Sequence, residues 1–351
     1  MSGNRHAGGE PIVKFDAVDI VFGSQPRQAL PLIDEGKSRS EIQEATGQIL
    51  GVASCTLDVH EGETLVLMGL SGSGKSTLLR SVNGLNPVIR GKVEVKSGGN
   101  RINPHACQPA ELRRMRRHTV SMVFQSFALL PWRTVEENVG FGLELAGAGA
   151  NEIRDSVKAQ LDLVGLSDWA GKKVQELSGG MQQRVGLARA FATSAPILLM
   201  DEPYSALDPL IRARLQDELI DLQHRLKRTI IFVSHDLDEA IKIGTRIAIM
   251  EGGRIVQCGT AKEILDNPAS DYVRDFVANM NPLAVCTASD AMKPTGRRRP
   301  GEKNAPTVDV EASLKRVMEL QLETGLPVYV LDEDKLIGII EPEDVQRTLL
   351  R

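Results

Sequence analysis

Thr64-Leu65-Val66-Leu67-Met68-Gly69-Leu70-Ser71-Gly72-Ser73-Gly74-Lys75-Ser76-Thr77 is the stretch on which the reading of this sequence turns. Residues 64–68 form a short apolar run, as expected of a strand covered on both faces. Gly69 to Ser76 then fits the spacing G-x-x-x-x-G-K-S/T, and a helix is expected from Lys75 to about Asn83. Strand, glycine-rich turn and helix in that order predict a loop that binds phosphate. Successive backbone N–H groups must point inward at phosphate oxygens, and glycines permit that approach. The helix N-terminus adds partial positive charge. Lys75 is placed to reach the β- and γ-phosphates of a nucleoside triphosphate, Ser76 to bind Mg²⁺ through its hydroxyl, and Thr77 to support it. The competing reading is a strand-to-helix turn with no ligand.

A second site is expected where Ile197-Leu198-Leu199-Met200-Asp201-Glu202 ends an apolar strand in two acids. Carboxylates at the C-terminal end of a central strand face the ligand crevice of an α/β sheet. Asp201 is placed to hold Mg²⁺ through water, and Glu202 to orient and polarise an attacking water. Alone, such a strand end is more simply a solvated one; beside a phosphate loop it predicts nucleotide hydrolysis.

Outward from these two sites, strands are expected at 12–22, 52–59, 92–95, 120–124 and 229–233, with a hairpin over 246–250 and 254–259. Helices are expected at 111–117, 152–164, 180–192, 210–226 and 237–244, and residues 29–46 read as a helical insertion broken at Gly36. Buried strands separated by helices imply an α/β core with parallel strands. Residues 293–306 carry three prolines, two glycines and no large apolar side chain, the composition of a linker. Beyond it, 308–351 reads strand, helix, strand, strand, helix, which is short for a domain standing alone.

The residues Leu177-Ser178-Gly179-Gly180-Met181-Gln182 resemble the LSGGQ signature of ABC transporter ATPases. Gln125 resembles that family's Q-loop glutamine, which senses Mg²⁺ and the γ-phosphate. Ser205-Ala206-Leu207-Asp208 resembles its D-loop, His235 its switch histidine, and Phe22 the aromatic that stacks on adenine. Taken alone, a histidine after a strand such as His235 would be structural, and Phe22 could be a core strand residue. The resemblance implies a phosphate-loop nucleotide-binding domain over 1–280, with a RecA-like core, an antiparallel β part, an insertion at 24–50 and a helical subdomain at about 126–195. It implies ATP and Mg²⁺ as ligands. Nucleotide contacts fall to Phe22, Gly69, Leu70, Ser71, Gly72, Ser73, Gly74, Lys75, Ser76 and Thr77. From the partner of a head-to-tail dimer come Ser178, Gly179, Gly180, Gln182 and Asp208. Ser76, Gln125 and Asp201 are the implied metal-site residues, and Glu202, His235 and Gln125 the catalytic ones.

The insertion looks like that of glycine betaine/proline/choline importers, and within that class the details resemble choline-type ATPases. That likeness implies two transmembrane permease subunits and, indirectly, a solute-binding protein. Phe127, Leu129, Leu130 and Trp132 would then form the apolar surface that receives the permeases, unless they are core. Residues 307–351 resemble a single CBS motif after a linker at 281–306. That tail would sense ionic strength or nucleotide, or only dimerise.

Composition bounds the alternatives. The 351 residues are 42% hydrophobic and 25% charged with a formal net charge of −4, so no nucleic-acid partner is expected. Arg297-Arg298-Arg299 is the one basic cluster, read as a solvated linker or a contact for anionic lipid. Four cysteines without metal-ligand spacing are expected as free thiols. Without a secretory leader or an apolar run of spanning length, the chain is expected at the cytoplasmic face of the membrane, held there by its permeases. The competing functions are a soluble ABC ATPase uncoupled from transport, or an importer of another small solute.

Overall fold

The apolar run before the phosphate loop forms the strand Thr64–Met68, buried at all five positions. In the computed structural model, which describes residues 10–349 apart from 279, 300, 301 and 303, this strand lies inside a six-stranded sheet. The order is Arg254–Gly259, Arg246–Glu251, Thr64–Met68, Thr229–Val233, Ile197–Asp201 and Val120–Val123. All pairings from Arg246–Glu251 to Val120–Val123 are parallel. Strands covered on both faces need continuous apolar sequence, and both Ile197–Asp201 and Thr229–Val233 are buried throughout. The α/β architecture expected from the sequence is the one observed.

A second, antiparallel sheet runs Ile49–Val59, Val13–Phe22, Arg90–Ser97, Asn100–Ile102. Its inner face supplies Val13, Phe15, Val52 and Leu57 to one apolar core with Leu65, Leu67, Leu78, Ile231 and Val233 of the parallel layer. Three helices form the helical part: Val135–Ala146, Ala150–Leu163 and Gly179–Ala192, packed on one another. The first was not expected from the sequence. It is started by a capping box in which Thr134 and Glu137 satisfy each other's backbone N–H groups.

The insertion folds as a 3₁₀ turn, Pro26–Ala29, and two helices, Leu30–Asp34 and Arg39–Thr46. Ala29, Ile33 and Ile42 bury their side chains with Val21, Leu50 and Ala53 of the antiparallel sheet. Arg90 ties it down electrostatically. Its guanidinium donates to the buried Asp19 and, through both terminal nitrogens, to Asp34 at 2.7 and 2.9 Å.

The described chain divides into two units: residues up to 235 with 243–258, and residues 236–242 with 259 onward. The second unit has its own sheet, ordered Lys293–Pro294, Lys335–Ile340, Val328–Asp332, Thr307–Asp309. The strand and helix order expected over 308–351 is observed. Over its first half, 281–294, the linker expected at 281–306 is not. Pro282–Val285 and Ala288–Ala291 are helices, and Lys293–Pro294 pairs antiparallel with Lys335–Ile340. Cys286, Ala288 and Ala291 are buried against Leu314, Val317, Val328, Val330, Ile340 and Val345. The linker composition belongs to 293–306; the small side chains before it are what a close-packed seam admits. The basic cluster is engaged within the same unit. Arg298 lies over the Tyr329 ring at 5.0 Å, and Arg299 pairs with Glu341 at 2.7 Å. Among the described residues no helix is long and apolar enough to cross a membrane.

Candidate functional site

The glycine-rich turn closes on itself through its lysine. The Lys75 ammonium, 6% exposed, donates to the carbonyl oxygens of Gly69 at 2.7 Å and Leu70 at 3.0 Å. Burial holds its pKa below the usual lysine range, against the carboxylates of Glu202 and Asp201, which act the other way. Backbone crowding explains Gly74. Its φ is +104°, and a Cβ there would stand 2.4 Å from the Gly51 carbonyl oxygen.

The loop floors a cleft of about 490 Å³ lined by Ser71, Gly72, Ser73, Gly74, Lys75, Ser76 and Thr77, and by Phe22, Gln125 and Glu202. Of the sequence-predicted residues, these ten are brought together directly. Phe22 is half-buried, so it serves both as core edge and as cleft wall; its cross-strand neighbour there is Ile49, 54% exposed.

Asp201 and His235 reach the cleft through other residues. The Asp201 carboxylate, fully buried, accepts from the Ser76 hydroxyl at 2.6 Å and from Arg80 at 2.8 and 3.0 Å. Every oxygen of this buried charge therefore has a partner, as a buried carboxylate requires. Glu202 lies at φ +46°, a conformation that costs a residue with a Cβ about 1–2 kcal/mol. Three contacts hold it there. Its N–H donates to Val233 O at 3.2 Å, while its carbonyl accepts from Gln183 at 3.3 Å and from the Ser205 hydroxyl at 3.1 Å. Its carboxylate accepts from Gln125 at 3.0 Å and stands 3.7 Å from His235 Nδ1.

Hard-cation chemistry fits this set. The Ser76 hydroxyl donates its hydrogen bond to Asp201, which leaves its lone pairs for a cation, and Gln125, whose NH2 donates to Glu202, adds a neutral amide oxygen. No group of three acidic, His or Cys side chains stands ready to chelate a metal among the described residues. Mg²⁺ is usually held by one or two protein oxygens together with substrate phosphates, a number that the Ser76 hydroxyl and the Gln125 amide could supply.

The signature residues lie apart from the loop. Ser178 caps the helix Gly179–Ala192, accepting from Met181 N at 3.4 Å, and Gln182 donates to Leu177 O at 3.1 Å. Asp208 caps the helix Pro209–Leu226 and accepts from Ile211 N at 3.0 Å. None of Ser178, Gly179, Gly180, Gln182 or Asp208 lines the cleft of its own chain. A Cβ on Gly179 would meet nothing within 4 Å, so its backbone is open to an approaching group.

Besides Ile49, Leu50 and Gly51 of the cleft wall, four polar residues at the site escaped the sequence reading. Arg80 orients Asp201, and Gln183, 1% exposed, accepts from Ala206 N at 2.9 Å while donating to Glu202 O. Arg39 and Gln43 come from the insertion and line the cleft. Only the i,i+4 spacing of Arg80 after Ser76 on one helix could have drawn attention; the others act across long sequence separations. Downstream of Gln125, Phe127, Leu129 and Leu130 are half-buried and Trp132 is 69% exposed.

Comparison with known proteins converges on one group. The family model described as "ABC transporter" matches residues 52–205, and one described as "CBS domain" matches 302–351. The glycine betaine/proline betaine transport system ATP-binding protein ProV of Escherichia coli (strain K12) is 46% identical, over 94% of this chain and 80% of that protein. The glycine betaine transport ATP-binding protein OpuAA of Bacillus subtilis (strain 168) is 43% identical, over 95% of this chain and 77% of that protein. Among solved structures, the dimeric ABC transporter cassette MJ0796 superposes with a TM-score of 0.61 at 29% identity. The match covers 71% of this chain and 98% of that one.

Proposed function

The chain belongs to the ABC transporter family, among the ATP-binding subunits of betaine transport systems, and from that premise we propose that it hydrolyses ATP to drive import of a small quaternary ammonium solute. The observation that carries this reading is the cleft itself: a phosphate loop faced by Glu202, whose carboxylate is held by Gln125 and neighboured by His235.

Each residue has a task in that reaction. The N–H groups of Gly72 to Thr77 and the Lys75 ammonium bind the phosphate chain, and Phe22 and Ile49 offer the adenine an apolar wall. Mg²⁺, held by Ser76 and Gln125 with Asp201 behind them, would neutralise charge on the β- and γ-phosphates. Glu202 accepts hydrogen bonding from the attacking water and aligns it, and His235 donates toward the γ-phosphate. Ser178, Gly179 and Gly180, absent from their own chain's cleft, close over the nucleotide of a second copy, with Gln182 and Asp208 at the same seam. The half-buried Phe127, Leu129 and Leu130 with exposed Trp132 receive two permease subunits at the cytoplasmic face of the membrane.

The solute class follows from the relatives, whose names give glycine betaine, proline betaine, carnitine and trimethylamine N-oxide. Their common feature is a compact, fully substituted cationic nitrogen bearing two or three methyl groups, which choline shares. Proteoliposomes holding the chain with its permeases and binding protein test the proposal. ATP-dependent uptake of labelled glycine betaine or choline, abolished by Glu202→Gln, is the expected result. Hydrolysis indifferent to permeases, binding protein and solute would leave an uncoupled ATPase instead.

A further inference from the structure

The insertion ends beside the nucleotide loop. Ser38 and Glu41 form a capping box that starts the helix Arg39–Thr46, and Ile42 of that helix is fully buried. With Ile42 locked inward, Arg39 and Gln43, one turn apart, share a face. Both line the cleft floored by Ser71 to Thr77. Two nitrogens of Arg39 donate to the insertion's own return strand: Nε to Leu50 O at 2.7 Å and Nη2 to Gly51 O at 3.0 Å. The third, Nη1, is aimed at the phosphate loop, 3.8 Å from where a Cβ on Gly72 would stand.

The insertion supplies no acidic partner for this charge among the described residues. Among the described residues no carboxylate pairs with Arg39, and burial alone acts on it, lowering its pKa below the usual arginine range. A cation in the first turn of a helix also opposes the helix dipole, so the position is unfavourable for the helix itself. A half-buried, unpaired guanidinium that faces an anion-binding loop has its counter-charge supplied by what the loop binds.

We propose that Arg39 is a nucleotide-binding residue, its Nη1 donating to the phosphate chain of the nucleotide held by the loop, so that the insertion is a wall of the ATP site. This rests on the nucleotide reading of the cleft, and the experiment separates the two. The full chain is titrated calorimetrically with ADP and with a non-hydrolysable ATP analogue. Arg39→Gln, Arg39→Lys and Lys75→Ala are compared with wild type, and each is also melted.

Arg39→Gln keeps a donor for the carbonyls and loses the charge; its affinity is expected to fall roughly tenfold for at least one nucleotide. Arg39→Lys keeps the charge but not the planar fork, and is expected to lose less affinity than Arg39→Gln. Wild-type affinity in Arg39→Gln for both nucleotides, with binding lost in Lys75→Ala, overturns this inference and leaves the cleft assignment standing. Wild-type affinity in Lys75→Ala overturns both. Equal losses in the two Arg39 variants, together with a lowered Tm, assign Arg39 to holding Leu50 and Gly51 and also overturn it.

Discussion

At the scale of single residues, the site depends on side chains held where the backbone would rather not be. Glu202 occupies the left-handed region because Val233, Gln183 and Ser205 together fix its peptide groups. That arrangement aims one carboxylate oxygen at Gln125 and His235. Replacing Glu202 by Gln keeps the shape and removes the carboxylate proposed as the base, so ATP binding is expected to persist while turnover falls by about 10²–10⁴. Single-turnover hydrolysis alongside equilibrium ATP binding reads both quantities, and turnover within about threefold of wild type would remove Glu202 from the role. Much of this was legible in sequence, because the chemistry of phosphate binding dictates residue types over a few consecutive positions. Gly69 to Thr77 and Asp201-Glu202 are such runs. Arg39 and Gln183 were not legible, because each acts on a partner that only folding brings near. Their side chains are ordinary polar ones at helical positions until Gly51, Gly72 and Ala206 are placed beside them.

At the scale of elements, position is set by caps and by a few buried polar side chains. Asn138 is wholly buried on the helix Val135–Ala146 and makes three bonds to the loop before it. Its Oδ1 accepts from Leu130 N at 2.7 Å, and its Nδ2 donates to Leu130 O at 3.1 Å and Thr134 O at 2.8 Å. Arg189 holds the same loop from the helix Gly179–Ala192, donating to Phe127 O at 2.9 Å and Ala128 O at 2.7 Å. Asn138→Ala leaves Leu130 N and O without these partners and should destabilise the protein by about 2–3 kcal/mol. None of these residues lines the nucleotide cleft, so ATP affinity is expected to be unchanged. Denaturant unfolding and nucleotide titration of the variant check this; unaltered stability would mean that the loop is held elsewhere. The sequence reading passed over this helix because Gly140 and Gly142 blur its periodicity. Its capping box, Thr134 to Glu137, was the available signal. The strand Asn100–Ile102 was missed through brevity: three residues carry no measurable alternation, although the Gly98-Gly99 turn before it, with φ of +56° and +89°, is a hairpin signal.

At the scale of the whole molecule, two features decide behaviour: where the second unit begins, and what completes the ATP site. A fragment starting at the expected motif boundary, 307–351, lacks Cys286, Ala288 and Ala291 from its core and the strand Lys293–Pro294 from its sheet. It also lacks both partners of the Lys262–Asp290 pair, 2.8 Å apart. The fragment 259–351 is therefore expected to unfold cooperatively, and 307–351 to show no cooperative transition. Circular dichroism during thermal melting distinguishes them, and a cooperative 307–351 would return residues 281–306 to a linker. The boundary was hidden because small and proline residues read alike as loop and as tight seam.

The central claim is that the signature residues serve the nucleotide of a second copy. Ser178→Arg places bulk at an exposed helix start that is not part of its own chain's cleft. The most direct measurement is the ATP affinity of the monomeric Ser178→Arg chain, set beside its steady-state hydrolysis and beside Lys75→Ala. The account predicts ATP affinity within about threefold of wild type with hydrolysis abolished, whereas Lys75→Ala loses binding itself. If Ser178→Arg monomers lose ATP as fully as Lys75→Ala monomers, the signature acts within its own chain and the head-to-tail site is contradicted.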